Sequence, residues 1–262
     1  MVRSLRSLEG RFLPRGGADA VRQVLLFAAA YMGYRIVRGM IEGQIGAASW
    51  NATQLIWVEH RLHVFVEPAV QAWATSTHWV IVVASFLYVN THFAITFGSL
   101  LWLYSQRNKS FYFVRNMFMI AMGIALVVYL VYPTAPPRLM PEWGFSDSVA
   151  TFTGLDEQAG AVGALVNSYA AVPSMHVCFA LIIGWPIVRL VRSPVLKVMW
   201  ALYPFLVTFV VVATGNHYVL DALFGALTAA LAALTAHRLL ARARPGAWAF
   251  SPAPAGAVEA PA

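Results

Sequence analysis

Residues 196–239 read LKVMWALYPFLVTFVVVATGNHYVLDALFGALTAALAALTAHRL, two long apolar runs separated by one short polar turn. A helix needs roughly 20 apolar residues to cross the hydrocarbon core of a bilayer, and both runs are of about that length. Apolar runs of this kind recur along the chain at 20–41, 79–104, 112–132, 173–190, 196–213 and 217–239. The sequence therefore predicts an all-α fold, a polytopic membrane protein built as a bundle of six transmembrane helices.

The composition supports a membrane protein over a soluble one. Hydrophobic residues make up 60% of the 262 residues and charged residues only 11%, whereas a soluble domain is roughly 25% charged. The single cysteine, Cys178, lies within a predicted span and cannot form an intramolecular disulfide. We expect it to be a small buried core residue.

The net charge of +7 could indicate nucleic-acid binding, but its placement indicates a membrane orientation instead. If the chain crosses six times, 14 of the 18 Lys and Arg residues fall on one side. They are Arg3, Arg6, Arg11, Arg15, Arg22, Arg107, Lys109, Arg115, Arg189, Arg192, Lys197, Arg238, Arg242 and Arg244. Cytoplasmic loops carry such an excess, so both termini are predicted to be cytoplasmic, in the plasma membrane.

The segments outside the spans divide the chain further. We predict a basic N-terminal tail at 1–19, a membrane domain at 20–240 and a disordered tail at 241–262, which is rich in Ala, Pro and Gly. Residues 50–73 predict an amphipathic helix in the outer interface, with apolar residues at helical spacing. Those residues are Leu55, Val58, Leu62, Phe65 and Val66, with Glu59, Arg61 and Glu67 among them. Residues 133–171 carry four prolines between Pro133 and Pro141, and this pattern predicts a rigid outer loop.

His217 and Asp221 are the first candidates for chemistry. They are four residues apart, so on a helix they share a face and can touch. A carboxylate beside an imidazole fixes its tautomer and raises its basicity, which prepares a histidine to act as nucleophile or base. An unpartnered Asp within a span would cost at least ~2.5 kcal/mol. The alternative is a His–Asp hydrogen bond that only ties helices together.

The predicted topology brings His176 and Arg138 to the same outer face as His217. Together with Asp221 they would form a phosphoryl-transfer site with a nucleophile, an acid, an orienting carboxylate and an anion clamp. Taken singly, a histidine at the rim of a span can be structural, and Arg138 can be an interfacial anchor.

Three short motifs resemble those of a known family. PSMH (173–176) resembles the Pro-Ser-Gly-His motif of the type 2 phosphatidic acid phosphatase superfamily, and HYVLD (217–221) resembles its His-x-x-x-Asp motif. YPTAPPRL (132–139) resembles the first motif as found in the inositol phosphorylceramide synthase branch and its bacterial relatives. The order and spacing of the motifs and the six spans match from about residue 20 to 240.

The resemblance implies a role for each matching residue. His217 would attack phosphorus and carry a phosphohistidine, with Asp221 orienting it. His176 would protonate the departing oxygen, while Arg138 and Ser174 would hold the phosphate oxygens. Members of the family need no metal, so the resemblance implies no metal and no other cofactor.

Two cations of the wider superfamily are replaced by valine in this chain. Val131 stands where its first motif has Lys, and Val211 where its third motif has Arg; Met175 also replaces Gly and Leu139 replaces Pro. A dianionic phosphate monoester needs more positive charge than a monoanionic diester. The departures therefore favour the synthase-like branch, which moves a phospho-headgroup from a phospholipid to an acceptor hydroxyl, over a lipid phosphate phosphatase.

Arg35 and Arg38 are candidates to supply part of the missing charge. Counted from residue 20 at 1.5 Å per residue, they lie about 22 Å and 27 Å along the first span, in the outer part of a ~30 Å core. Alternatively, both side chains extend to the outer headgroups.

The expected partners are the bilayer, a phospholipid donor and a lipid or polyol acceptor. Frequent Ala and Arg are typical of a GC-rich bacterium, which argues against ceramide as the acceptor and allows phosphatidylinositol as the donor. Two other functional classes, an intramembrane protease and a transporter, explain fewer of these residues. An intramembrane protease using Ser174 lacks the Gly-x-Ser-x-Gly surround of an exposed nucleophile, and a transporter could show inverted repeats, which this sequence lacks. Residues Asn90, Thr91 and His92 lie mid-span, where we expect interhelical hydrogen bonds.

Overall fold

The computed structural model describes residues 13–41, 43–153, 169–240 and 242. These residues are helical throughout, with turns and one isolated bridge between Thr134 and Ala170 in place of strands. The predicted disorder of 241–262 lies outside the described residues apart from Arg242, and so do most of the N-terminal tail and residues 154–168.

The helices follow the predicted spans closely. They are α1 (Gly16–Ile41), α2 (Ile45–Leu62), α3 (Glu67–Ser76), α4 (His78–Gln106), α5 (Asn108–Val131), α6 (Ser148–Thr153), α7 (Met175–Leu190), α8 (Pro194–Ala213) and α9 (Val219–Leu234). Helix α4 is interrupted by a π-helical turn at Leu87–Thr91, and α9 continues into another at Thr235–Leu240.

Five of these helices, α1, α4, α5, α8 and α9, are long and apolar enough to cross a membrane. Their outer surfaces are apolar and uncovered: Phe205 on α8 is 73% exposed and Val131 on α5 is 77% exposed. A soluble monomer rarely leaves so much apolar surface open to water. The architecture is that of a polytopic helical membrane protein.

Helix α7 is shorter than its predicted span. It has 16 residues and begins at Met175, because Pro173 and Ser174 are not helical and Ser174 serves as its N-cap. At 1.5 Å per residue α7 is about 24 Å long, less than the ~30 Å hydrocarbon core. Among the described residues there are therefore five helices long and apolar enough to cross a membrane, and one shorter apolar helix.

Helix α7 lies at the centre of the bundle. It packs against α8 and α9 and also against α5, and α1 packs against α5 as well. Cys178 is fully buried in this core, as predicted. The short α7–α8 connection and the turn between α8 and α9 bring the start of α7 and the start of α9 to the same end of the bundle.

The predicted amphipathic helix at 50–73 is two helices in the structure. Helix α2 ends at Leu62, and α3 begins at Glu67 with Pro68 in its first turn. Val58, Leu62 and Val66 are exposed, whereas Glu59 and Glu67 are completely buried. The face of α2 that packs against the protein carries Ala48, Ala52, Leu55 and Ile56, and Glu59 extends this face with a long-range hydrogen bond.

Candidate active site

The turn between α8 and α9 positions His217. Gly215 takes a positive φ of 70°, which glycine adopts without strain. His217 Nδ1 lies 3.2 Å from Asp221 Oδ2, and both side chains are buried. The predicted contact between these two residues is therefore present. With Nδ1 directed at the carboxylate, Nε2 is the ring nitrogen left for a reacting atom.

Burial keeps the His217 imidazole neutral. Loss of solvation is the main cause that lowers the pKa of His217 to about 3, and the positive charge of Arg138 also lowers it. A hydrogen bond with the backbone of Ala171 raises the pKa and only partly offsets these two effects. At neutral pH the ring therefore carries a lone pair, as a nucleophile requires.

Three carboxylates accept hydrogen bonds from consecutive backbone N–H groups at the start of α9. Asp221 Oδ2 accepts from Tyr218 N at 2.9 Å. Glu67 Oε1 accepts from Val219 N at 2.7 Å, and Glu59 Oε1 accepts from Leu220 N at 2.8 Å. Helix N-termini leave such donors unpaired and attract negative charge. Helices α2 and α3 thus fix the helix that follows His217.

Glu59 and Glu67 act as a pair, which the sequence analysis did not foresee. Burial is the main cause that raises the pKa of Glu59 to about 9, and the neighbouring Glu67 raises it further through a hydrogen bond and its charge. With its pKa raised to about 9, the Glu59 carboxyl is protonated at neutral pH. Their signal in the sequence is a pair of acidic residues eight positions apart in an amphipathic segment.

Two substitutions of Glu59 should separate the effect of its hydrogen bonds from the effect of its ionisation. Glu59→Gln keeps an oxygen for Leu220 N and a donor for Glu67, so we expect stability close to wild type at pH 6. Glu59→Ala leaves the buried N–H unsatisfied, which costs about 1–3 kcal/mol. Apparent melting temperatures in detergent would measure both.

The same carboxyl predicts a pH dependence. Because the folded pKa of Glu59 is above the unfolded value of 4.5, its stabilising contribution is complete below pH 4.5 and is lost as the pH rises through about 9. The melting temperature should fall between those pH values in the wild type and fall less in Glu59→Gln. Equal slopes in both proteins would contradict the raised pKa of Glu59.

His176 faces His217 from the start of α7. The two ring centroids are 5.6 Å apart in a T-shaped arrangement. On its other sides His176 meets Tyr88 and His92, each at a centroid distance of 4.9 Å, and Phe93 at 5.6 Å. Its Nε2 atom is buried and has no hydrogen-bond partner among the described residues.

Ser174 connects the two histidine-bearing elements. Its backbone N–H donates to the carbonyl of Asp221 at 3.0 Å, and its fully buried hydroxyl accepts from Val177 N at 3.5 Å as the N-cap of α7. Gly225 of α9 permits this approach, since a Cβ there would lie 2.3 Å from the Ser174 carbonyl oxygen. The hydroxyl of Ser174 therefore has a structural partner already.

Arg138 is held against the His217 turn. Its backbone N–H donates to the Gly215 carbonyl at 2.8 Å, and its Nη1 donates to Asn216 Oδ1. Its Nε is 3.9 Å from Asp147 Oδ2, and the side chain is buried. Asn216, which the sequence analysis overlooked, thus aims the guanidinium from the position directly before His217.

Arg35 and Arg38 lie near the end of α1. Arg35 is exposed and Arg38 is partly exposed. Val37 and Ile41, on the same turn, pack with Tyr129 in a cluster that Met175 joins from the start of α7. This packing brings the end of α1 to the edge of the site, beside the residue that precedes His176.

The two valines that replace motif cations differ in their surroundings. Val211 is fully buried near the C-terminal end of α8, whereas Val131 is highly exposed at the end of α5. Position 211 is therefore apolar in the interior of the protein near the site, whereas position 131 is apolar on the exposed surface of the bundle.

A family model described as the PAP2 superfamily matches residues 53–235, more than half of the chain. The match includes Arg138, Ser174, His176, His217 and Asp221 and excludes α1 with its two arginines. No curated protein and no solved structure matches this chain.

Proposed function

Because the chain belongs to the PAP2 superfamily, we propose that it is a membrane phosphotransferase that moves a phospho-headgroup from a glycerophospholipid to an acceptor hydroxyl. The observation that carries the proposal is the pairing of a neutral, buried His217 with Asp221, opposite His176 and beside Arg138. Phosphatidylinositol is the proposed donor and a bacterial plasma membrane the proposed location.

The proposed first step forms a phosphohistidine. The Nε2 lone pair of His217 attacks phosphorus, and the bond between phosphorus and the glycerol oxygen breaks. His176 gives its proton to that oxygen, because an alkoxide is a poor leaving group. Asp221 accepts the Nδ1–H of His217 and stabilises the charge that develops on the ring.

The proposed second step reverses the first with a different alcohol. The acceptor hydroxyl attacks phosphorus, its proton passes to His176, and the phosphorus–nitrogen bond to His217 breaks. The enzyme returns to its starting protonation state, and no metal or other cofactor is assigned a role. Water in place of the acceptor would give the phosphatase reaction at the same residues.

The charge around the phosphate favours a diester donor. Arg138 is the proposed clamp, since it is buried next to the nucleophile and a guanidinium can contact two oxygens. Arg38 is the proposed assisting cation, because the packing of Val37 and Ile41 brings its turn to the edge of the site. Ser174 is better explained as the cap of α7, and Arg35 is more exposed.

Incubating purified protein with phospholipids labelled in the headgroup tests the proposal. We expect the labelled phospho-headgroup to appear on an added alcohol acceptor, and phosphatidylinositol to react faster than lipids with other headgroups. Release of inorganic phosphate from phosphatidate or polyprenyl phosphate, without headgroup transfer, would assign the chain to the phosphatases.

The proposed topology has six crossings, with both termini cytoplasmic and the site on the extracytoplasmic face. It requires α7 to cross despite its length, which the non-helical residues Pro173 and Ser174 make possible by extending its outer end. In sealed vesicles, a membrane-impermeant substrate should react in right-side-out preparations and should require detergent in inverted ones. If inverted vesicles reacted without detergent and right-side-out vesicles required it, the site would be on the cytoplasmic face instead.

A further inference from the structure

A groove of about 370 Å³ lies between α4 and α8, next to the candidate site. Its walls come from the π-helical turn and the following turn of α4 and from one side of α8. Its volume is in the range of small-molecule pockets, roughly 300–1,000 Å³. A π-helical turn inserts an extra residue and often marks a functional position; here it forms one wall of the groove.

The groove runs from the candidate site into the bundle's membrane region. Along α8 it is lined from Val211 to Met199, which is about 18 Å at 1.5 Å per residue. His176 lines the groove and lies within ring contact of His217. Leu202 and Leu206 line it as well and are 58% and 47% exposed. The groove is therefore open on its lipid side.

Two polar residues that line the groove, Tyr88 and His92, contact the ring of His176. His92 Nδ1 lies 3.0 Å from the Tyr203 hydroxyl, which joins α4 to α8 as the predicted interhelical hydrogen bond. The Nε2 atoms of His92 and His176 are both buried and have no hydrogen-bond partner among the described residues. His92 is 4% exposed. An unpartnered buried imidazole nitrogen is costly unless a bound molecule satisfies it.

We propose that this groove holds one fatty acyl chain of the donor phospholipid, with the ester end of the chain at His92 and the scissile oxygen at His176. The inference rests on the proposed function, since a glycerophospholipid donor carries acyl chains. An apolar groove cannot accept the charged headgroup. The headgroup side is then left to Arg138, which is held against the turn that carries His217.

The groove should affect how the donor lipid is aligned for reaction more than how tightly the lipid binds. Lipid tails are as apolar as the groove wall, so moving a chain from the bilayer into the groove gains little hydrophobic energy. A chain fixed at its upper end nevertheless places the glycerol oxygen near His176, and a displacement of about 1 Å can cost on the order of 100-fold in rate. Blocking the groove should therefore reduce turnover of long-chain lipids selectively.

Leu206→Trp tests the groove, with Phe205→Trp as the matched control. Leu206 lines the groove, whereas Phe205 is its neighbour on α8, is 73% exposed and lies outside the groove. We expect Leu206→Trp to lower kcat/KM for dipalmitoyl phosphatidylinositol about tenfold or more and to leave the dihexanoyl lipid near wild type. Phe205→Trp should match the wild type with both lipids.

Photo-crosslinking gives a readout that needs no turnover. A glycerophospholipid with a diazirine at the end of one acyl chain should label residues 199–207 in the wild type and in Phe205→Trp, and much less in Leu206→Trp. Equal losses with both chain lengths, or labelling that Leu206→Trp does not change, would overturn the acyl-chain site. Selective loss with a polyprenyl lipid alone would assign the groove to an isoprenoid chain. A wild type that labels there but transfers no headgroup would contradict the proposed function and leave the groove assignment standing.

Discussion

His217→Ala is expected to abolish both turnover and the covalent intermediate. Removing a covalent nucleophile costs on the order of 10⁴- to 10⁶-fold in kcat, and nothing else at this position can form a bond to phosphorus. The wild type should accumulate an acid-labile phosphoprotein when it is quenched during reaction with a phosphorus-labelled donor. Vanadate, which adopts the five-coordinate geometry of the transition state, should inhibit it.

The neighbouring carboxylate supplies the matched control. Asp221→Asn can still accept from Tyr218 N but no longer offers a charge to the His217 ring, so kcat should fall by about 10²- to 10⁴-fold while substrate binding remains. The melting temperatures of both variants should be compared with wild type. A His217→Ala protein that still turns over, or a label found on Ser174, would end the assignment of the nucleophile.

His176→Ala is expected to impair the enzyme in a way that depends on the leaving group. A general acid contributes about 10²- to 10⁴-fold, and it matters only when the departing oxygen is strongly basic. Turnover of a phospholipid should therefore fall by that factor. A nitrophenyl diester with the same headgroup should react at close to the wild-type rate, because nitrophenolate departs without a proton.

His176→Phe separates chemistry from packing. It keeps an aromatic ring against Tyr88 and Phe93, so the bundle should remain folded while the acid is lost. The expected result is the same selectivity for the activated substrate as in His176→Ala, with a melting temperature nearer to wild type. If both substrates lost activity equally in both variants, His176 would be a structural residue and the proton donor would lie elsewhere.

The sequence by itself determined the membrane class, most of the helix boundaries and the residues of the three motifs. These features depend on local regularities. An apolar run about as long as the bilayer is thick must be a helix, because its backbone cannot hydrogen-bond to lipid. A His and an Asp four residues apart come within reach whenever the chain turns into a helix, and His217 and Asp221 do so.

Only the tertiary structure decided how the site is supported. The carboxyl groups of Glu59 and Glu67 reach α9 across 161 and 152 residues of chain, and His92 reaches Tyr203 across 111. The spacing of neighbouring residues in the sequence does not indicate such contacts. Polarity is also a poor guide in a protein that exposes its apolar residues to lipid: Val58 and Leu62 are exposed, while Glu59 is buried. The buried N–H groups at the start of α9 need acceptors wherever the chain can supply them, and Glu59 and Glu67 supply two of them.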